Sequence, residues 1–317
     1  MYIVYPVIFL LLDQPNSELA VFLSGKRHQT GVAVVNNNAF EDDPPASPII
    51  HIVDEALSNA SFVLKTAQEL RASLYAQCTP EEQDYFDKYI KIEEGDVTKI
   101  CINSQDQDGD QWLEYKYGRI TGSICYDYHT YYKNRNKHSD ADWCSKIKAT
   151  YSSGFSNDSM KDGKMFEDRA LRCYERKFSV RNINNLGIFI NPMTPWLGYS
   201  ADGVVTIDGV IDRLWEVKSP VKGGQYGADE ICNYIRYMKE KRLKEKHKYY
   251  GQIQMGMLLL SIPICDFTVF CNKPKEVDDE LFVDTVVFNE KFCLEMAQNV
   301  TRAFFTKVLP WLVSQME

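Results

Sequence analysis

The sequence predicts a mixed α/β fold in which a short mixed central sheet is flanked by helices, preceded by a mainly helical N-terminal region. After residue 111, stretches with helical spacing of apolar residues alternate with short runs rich in β-branched and aromatic residues. The composition, with 44% hydrophobic and 25% charged residues, is that of a globular protein. The 317 residues are enough for a domain of about 200 residues with a smaller appendage.

Residues 1–110 are predicted to form an accessory region that is partly helical. The apolar run 2–12 favours a buried strand or short helix because no positive charge precedes it, with a secretory segment or a misassigned start codon as alternatives. Residues 36–48 are polar and contain prolines, which predicts a loop. Residues 49–92 have helical spacing, and Thr79 before a proline is typical of a helix start.

Residues 111–317 are predicted to form the second domain, which carries the chemistry. The apolar periodicity predicts helices near 123–133, 164–177, 231–261 and 290–315. Strands are expected within 187–218 and at 266–271 and 282–288.

The overall charge and the cysteines exclude several classes of protein. A net charge of −8 argues against a protein that coats nucleic acid non-specifically, because such binding depends on Lys and Arg neutralising phosphates. The nine cysteines are scattered without a C-x-x-C pair, which excludes the usual zinc spacing. We expect reduced thiols, an intracellular and reducing compartment, and no association with a membrane.

A predicted hairpin carries the strongest chemical signal in the chain. The segment 198–203 contains Asp202, and after a turn the returning strand contains Glu216 and Lys218. Because side chains alternate along a strand, Glu216 and Lys218 share a face beside Asp202, while Trp215 and Val217 point the other way. A surface hairpin with an ordinary Glu/Lys pair is the alternative interpretation of this pattern.

These residue types suit phosphodiester hydrolysis. Two carboxylates, Asp202 and Glu216, together with a backbone carbonyl, that of Val217, can hold a hard cation. Such a cation polarises the phosphate and acidifies a water, and a lysine such as Lys218 orients that water or stabilises negative charge. The expected cofactor is Mg²⁺, with Mn²⁺ as a substitute.

Four segments resemble, in the same order, the YqaJ-like viral recombinase family, which includes the phage lambda exonuclease and belongs to the PD-(D/E)XK superfamily. They are 116–123 (KYGRITGS), 163–174, the hairpin 200–220 and 249–254 (YYGQIQ). The family has a proline where this chain has Ala201. The resemblance implies a restriction-endonuclease-like core over this part of the chain.

The resemblance also implies two further residues at the catalytic centre. Glu167 would assist at the metal site, and its predicted place on an apolar helix face agrees, although a buried salt bridge is the alternative. Gln252 would be an active-site residue, with Gln254 as the second choice. A core glutamine satisfied by the backbone is the alternative interpretation.

The segment 116–123 is implied to bind a terminal 5′ phosphate of DNA. Free backbone N–H groups at the helix start and the Ser123 hydroxyl can hold a phosphate, although Ser123 could equally be only an N-cap. Lys116 or Arg119 would supply positive charge. The basic run 236–248 is expected to be a helix face that is either simply solvated or in contact with the DNA backbone.

Together, the residues and the resemblance predict a Mg²⁺-dependent deoxyribonuclease. The resemblance implies a 5′-to-3′ exonuclease on linear double-stranded DNA, acting in recombination, repair or the replication of a virus or mobile element. It also implies a homotrimer and a single-strand annealing protein as a partner. The alternatives are a catalytically silent module that binds DNA ends, a structure-specific endonuclease of the same superfamily, and a protein-interaction scaffold that acts through its helical first hundred residues.

Overall fold

The computed structural model describes residues 47–107, 109–151, 158–273 and 278–316, and for 158–165 it describes the backbone alone. The chain divides into two units, Met1–Pro45 and Ala46–Glu317. The first unit lies outside the described residues, and so do the predicted apolar run 2–12 and most of the predicted loop 36–48.

The described part of the N-terminal region is helical, as predicted. Its helices are α1 (Pro48–Ser58), α2 (Phe62–Tyr75), α3 (Pro80–Tyr85) and α4 (Val97–Asn103). The predicted helix start at Thr79 is confirmed: its hydroxyl accepts the backbone N–H of Glu82, and the Glu82 carboxylate accepts that of Thr79. This reciprocal pair satisfies two N–H groups that a helix terminus otherwise leaves open. A π-helical turn, Phe86–Ile90, extends α3, and a short 3₁₀ turn, Glu94–Asp96, precedes α4.

Eight further helices follow in the described residues. They are α5 (Asp110–Lys116), α6 (Gly122–Lys133), α7 (Asp140–Tyr151), α8 (Asp158–Phe178), α9 (Ala228–Ile231), α10 (Lys248–Leu260), α11 (Glu290–Ala303) and α12 (Leu309–Ser314). Short 3₁₀ turns cover Arg135–Lys137 and Val221–Gly224, and a π-helical turn, Phe304–Val308, joins α11 to α12.

The central sheet has five strands in the order β10, β9, β6, β5, β2. Their bounds are β2 (Ile183–Asn184), β5 (Gly203–Ile207), β6 (Val210–Lys218), β9 (Ile264–Cys271) and β10 (Glu280–Val287). Within this sheet only β6 and β9 run parallel, so the sheet is mixed, as predicted. Strands β5 and β6 form the predicted hairpin around Asp208 and Gly209, both of which have positive φ, as the tightest hairpin turns require.

A second, three-stranded sheet brings the segment before α6 to the end of the hairpin. It contains β1 (Ile120–Thr121), β3 (Ile188–Phe189) and β4 (Leu197–Ser200), with β4 in the middle. Strand β1 runs parallel to β4, so α6 starts beside the strand that leads into Asp202.

Helices cover both faces of the central sheet. On one face, α6, α10 and α11 pack into the main hydrophobic core, and α1 and α2 contribute to the same core. On the other face, Trp215 and Val217 pack against Ala170 and Tyr174 of α8. The predicted architecture, a short mixed sheet flanked by helices, is therefore confirmed. The division at residues 110 and 111 stays a prediction about domain organisation.

The predicted helix over 231–261 is wrong in its first half. Only 248–260 is the expected long helix, whereas the basic run forms a small hairpin of β7 (Met238–Lys239) and β8 (Arg242–Leu243). Its turn residues Glu240 and Lys241 both have left-handed φ angles, 52° and 59°. Within the described residues, no helix is both long and apolar enough to cross a bilayer.

Candidate active site

The hairpin brings Asp202, Glu216 and Lys218 together, as the alternation of side chains predicted. The Lys218 ammonium lies 2.5 Å from Glu216 Oε1 and 3.8 Å from Asp202 Oδ2. Two carboxylates from different strand ends thus converge on one cationic atom. Helix α10 adds Gln252, whose amide Nε2 donates to Glu216 Oε1 at 2.5 Å.

Glu216 is the centre of this cluster and is completely buried. Its Oε1 accepts from Lys218 and Gln252, and its Oε2 accepts from the Tyr199 hydroxyl at 2.7 Å. Burial, followed by the negative charge of Asp202, raises the pKa of Glu216 to about 7, although Lys218 and the Tyr199 hydrogen bond act in the opposite direction. The carboxylate therefore changes charge near neutral pH.

Asp202 lies in a braced turn at the edge of the cluster. Its Oδ2 accepts the backbone N–H of Val217 at 2.8 Å, and its side chain is 14% exposed, in contrast to Glu216. The preceding residues are held from the N-terminal side: the Trp112 indole donates to the Ser200 hydroxyl at 2.8 Å, and Gln107 donates to the Ala201 carbonyl at 3.2 Å. The turn is thereby fixed relative to α5.

The charge on Lys218 is maintained by its neighbours. Burial alone would lower the pKa of Lys218, but the charges of Glu216 and Asp202 outweigh it and raise the pKa above its usual value. The ammonium also lies 5.3 Å from the centre of the Tyr249 ring, within the range of a cation–π contact. Lys218 is therefore a permanent cation between two carboxylates.

Tyr199 holds Glu216 in place, and sequence reasoning assigned it no role. Its ring is wedged between α6 and α10 at two glycines, where an added Cβ would come within 2.6 Å of the ring at Gly122 and within 2.4 Å at Gly256. Only a residue without a side chain permits such an approach. The signal in the sequence was therefore a pair of helical glycines, but a single sequence does not show which ring they face.

The two candidate glutamines on α10 have different surroundings. Gln252 faces Glu216, whereas Gln254 is fully buried and bonds to the backbone, donating to the Val287 carbonyl and accepting the N–H of Asn289. Gln254, the second choice, is thus the satisfied core glutamine. Of the two, Gln252 is the one in the cluster.

Arg119, one of the predicted phosphate ligands, is committed to the interior. It is 3% exposed, and its guanidinium donates to the backbone carbonyls of Tyr89, Ile90, Tyr115 and Pro195. Burial lowers the pKa of Arg119 to about 10. Because its N–H groups point into the protein, Arg119 fixes the segment before α6, and the expectation that it contacts phosphate is wrong.

The other two residues of the predicted phosphate segment are more accessible. Ser123 is exposed in the first turn of α6, and the N-cap of this helix is Thr121, so the alternative that Ser123 is the N-cap is wrong. Lys116 is half-buried at the end of α5, with its ammonium 4.3 Å from the centre of the Trp112 ring. The start of α6 also lies near the cluster, since a Cβ at Gly122 would be 3.5 Å from Gln252 Cγ.

Glu167 lies on α8, on the other side of the central sheet from α10. Its side chain is exposed, so the prediction that it lies on the apolar face of its helix is wrong. Over the described ranges, no three or more His, Cys, Asp or Glu side chains are arranged to hold one metal ion. The structure therefore does not join Glu167 to Asp202 and Glu216 as one set of ligands.

Comparison with known protein families identifies the part of the chain that carries this cluster. The sequence predicted both the short mixed sheet and the grouping of Asp202, Glu216 and Lys218 at its hairpin. Residues 111–259 match the family model of the YqaJ-like viral recombinase domain. The recognition made from four sequence segments is therefore confirmed for these residues, which are similar to the domain of this family. No curated protein matches the chain significantly.

Solved structures give more distant similarities. The exonuclease LHK-Exo in complex with dAMP has a TM-score of 0.47 and 20% identity, over 66% of this chain and 98% of that one. A structure of LHK-Exo described as an alkaline exonuclease from Laribacter hongkongensis has a TM-score of 0.46 and 19% identity, over 66% and 96%. A phage-related exonuclease from Haemophilus somnus has a TM-score of 0.43 and 13% identity, over 63% and 96%.

Proposed function

We propose that the protein is a Mg²⁺-dependent deoxyribonuclease, a 5′-to-3′ exonuclease that digests one strand of linear double-stranded DNA. The observation that carries the proposal is the convergence of Asp202 and Glu216 on the ammonium of Lys218, within a YqaJ-like viral recombinase domain. Recombination, repair and the replication of a virus or mobile element are the processes in which such an activity would serve.

The donor set fits a hard divalent cation. Carboxylate and carbonyl oxygens are the ligands that Mg²⁺ and Mn²⁺ prefer, and Asp202, Glu216 and the Val217 carbonyl would supply them. The resemblance to the family also assigns Glu167 to this site, but its exposed side chain on α8 lies apart from these donors, so its part in metal binding stays a proposal of the resemblance alone. When bound, the cation would polarise the phosphate and lower the pKa of a water. The two carboxylates already lie within 4 Å of one positive atom, Lys218 Nζ, which supports their sharing a second one.

The remaining residues would act on the substrate and on Glu216. Lys218, a permanent cation, would orient the attacking water or stabilise the negative charge that develops on the phosphate. Gln252 and Tyr199 fix the Glu216 carboxylate from two sides, so that it need not reorganise when the substrate binds. The backbone N–H of Val217 donates to Asp202 Oδ2 and so fixes the second carboxylate of the cluster.

The start of α6 is the proposed site for the terminal 5′ phosphate. Twelve residues of helix give the N–H groups of the first turn a partial positive charge, and Ser123 is exposed there. Lys116 would add a full positive charge from α5. Because the start of α6 lies near Gln252, a phosphate bound there would place the end of a strand beside the carboxylates. End recognition is the feature that distinguishes an exonuclease from an endonuclease.

The test is hydrolysis of 5′-phosphorylated linear duplex DNA in Mg²⁺, with closed circular DNA of the same sequence as the comparison. We expect mononucleotides from the linear substrate alone, released first from a labelled 5′ end. Lys218→Ala should abolish the reaction, whereas Lys222→Ala, an exposed lysine four residues further on, should retain it.

Each other outcome points to a different function. Cleavage of the closed circle would indicate an endonuclease of the same superfamily. A folded chain that binds linear DNA without cleaving it in Mg²⁺ or Mn²⁺ would indicate a silent module that binds DNA ends.

We also propose a homotrimer and a single-strand annealing partner, and the mass of the protein in solution tests the trimer.

A further inference from the structure

The basic hairpin, defined as residues 236–248, is the most strongly charged surface segment of the described chain. It contains seven lysines and arginines against two glutamates, in a protein whose net charge is −8. All seven cations are exposed, whereas Met238 and Leu243 are buried beneath them. The hairpin thus points its apolar residues inward and presents its charge to solvent.

The basic hairpin is fixed to the central sheet by a buried carboxylate. Asp284 of β10 is 4% exposed, and it accepts the backbone N–H of Leu243 and the Arg242 guanidinium, both at 2.7 Å. The Lys244 N–H also donates to the Tyr237 carbonyl at 2.9 Å. These bonds fix β7 and β8 against β10 of the central sheet, so the hairpin is a platform of fixed position from which the cations project.

A chain of aromatic contacts joins this platform to the candidate active site. The Tyr237 ring lies 5.0 Å from the Tyr249 ring and 5.9 Å from that of Phe267. Tyr249 in turn lies beneath the Lys218 ammonium at 5.3 Å. One layer of rings therefore separates the base of the basic hairpin from Lys218, and a polymer held at the active site would pass close to the hairpin.

Two exposed ion pairs made by lysines of the basic hairpin leave their charge available for exchange. Lys239 pairs with Glu240 at 3.7 Å and Lys241 with Asp229 at 3.2 Å, and these side chains are all more than half exposed. Exposed pairs of this kind contribute about 0–1 kcal/mol. Replacing such a partner with a phosphate therefore costs little and releases counterions from the nucleic acid.

We propose that the basic hairpin binds the phosphate backbone of the DNA substrate, adjacent to the site where the strand is cut. This inference rests on the proposed function for the identity of the polymer. The hairpin would supply the sequence-independent affinity that the acidic protein otherwise lacks, and it would direct the duplex toward Lys218.

The test measures DNA binding by the full chain in EDTA, where no cleavage occurs, by the fluorescence anisotropy of a 5′-phosphorylated duplex. One variant carries Lys239→Gln, Lys241→Gln and Lys246→Gln. The control carries Lys65→Gln, Lys88→Gln and Lys99→Gln, which are exposed lysines of the N-terminal helices, so that both variants have the same total charge. Thermal unfolding of both variants checks that each is folded.

We expect the hairpin variant to bind at least about ten-fold more weakly at 0.1 M salt. The slope of its log Kd against log salt concentration should fall by about one for each phosphate that the removed lysines neutralise in the wild type. The control should keep the slope of the wild type. Equal weakening in both variants, or none in the hairpin variant, would overturn the proposal. The proposal would also be overturned if the hairpin variant bound anionic lipid vesicles more weakly but bound DNA as the wild type does.

The outcome is separable from that of the nuclease assay. If the chain cleaves DNA but the hairpin variant binds it normally, the proposed function stands and the hairpin proposal fails. If the chain binds DNA through the hairpin but never cleaves it, the hairpin proposal stands and the nuclease proposal fails. With both correct, the hairpin variant should have a raised KM and a kcat close to that of the wild type.

Discussion

The buried carboxylate of Glu216 should make the stability of the protein depend on pH, and Glu216→Gln should remove that dependence. Raising its pKa from 4.5 to about 7 corresponds to roughly 3 kcal/mol, at about 1.4 kcal/mol for each tenfold change in the proton equilibrium. The folded state holds the proton more tightly than the unfolded state. The contribution of Glu216 is therefore fully present below pH 4.5 and is lost as the pH rises through 7.

The assay is reversible denaturant unfolding of wild type and Glu216→Gln at several pH values between 5 and 8.5. The glutamine has its own cost, because its amide oxygen can still accept from Lys218 and Gln252, but its N–H₂ then faces the Tyr199 hydroxyl, which must turn from donor to acceptor. This cost does not depend on pH, so only the change in the difference between the two proteins matters. Over this range, wild type should lose about 2–3 kcal/mol more than the variant.

A constant difference between the two proteins across this range would refute the reasoning. It would mean that Glu216 ionises in the folded state as it does in water, and hence that its burial is offset by Lys218 more completely than we infer. A difference that changes in the opposite direction would mean that the pKa of Glu216 is lowered, as in an ordinary ion pair.

Three further substitutions test how the cluster is built. Tyr199→Phe removes one hydrogen bond to Glu216, so stability should fall by about 1–3 kcal/mol and the acidic limb of the activity profile should move to higher pH. Gly256→Ala places a methyl group against the Tyr199 ring and should lower the free energy of urea unfolding by about 1–3 kcal/mol. The control Gly95→Ala, where the space is open, should lower it far less. Arg119→Lys leaves several buried carbonyls without a donor and should lower the free energy of unfolding by at least about 2 kcal/mol. The DNA affinity of the folded variant should be unchanged.

The β5–β6 hairpin and the grouping of its acidic and basic residues could be predicted from the sequence because the signal is local. Alternation along β6 is sufficient to place Glu216 and Lys218 on one face, and an Asp-Gly turn is sufficient to reverse the chain. Asp202 follows from its position before the first strand. These relations span fewer than about twenty residues, within which local geometry determines which side chains meet.

The wrong predictions depended on distant contacts. Lys, Glu and Arg favour helices, so the run 236–248 predicted one, but Asp284 and the burial of Leu243 stabilise a hairpin with two left-handed turn residues instead. The carbonyls that engage Arg119 come from three separate segments of the chain. Neither outcome can be derived from spacing alone.

Binding of a divalent cation by the free protein tests the central claim most directly. Calorimetric titration with Mn²⁺ at pH 8, where Glu216 is ionised, should show binding to wild type that is lost or weakened at least about ten-fold in Asp202→Asn and in Glu216→Gln. Asp212→Asn, a carboxylate paired with Arg213 on the same strand, serves as the matched control and should bind as wild type does. Unchanged affinity in Asp202→Asn and Glu216→Gln, with both variants folded, would contradict a metal-dependent active site at this cluster.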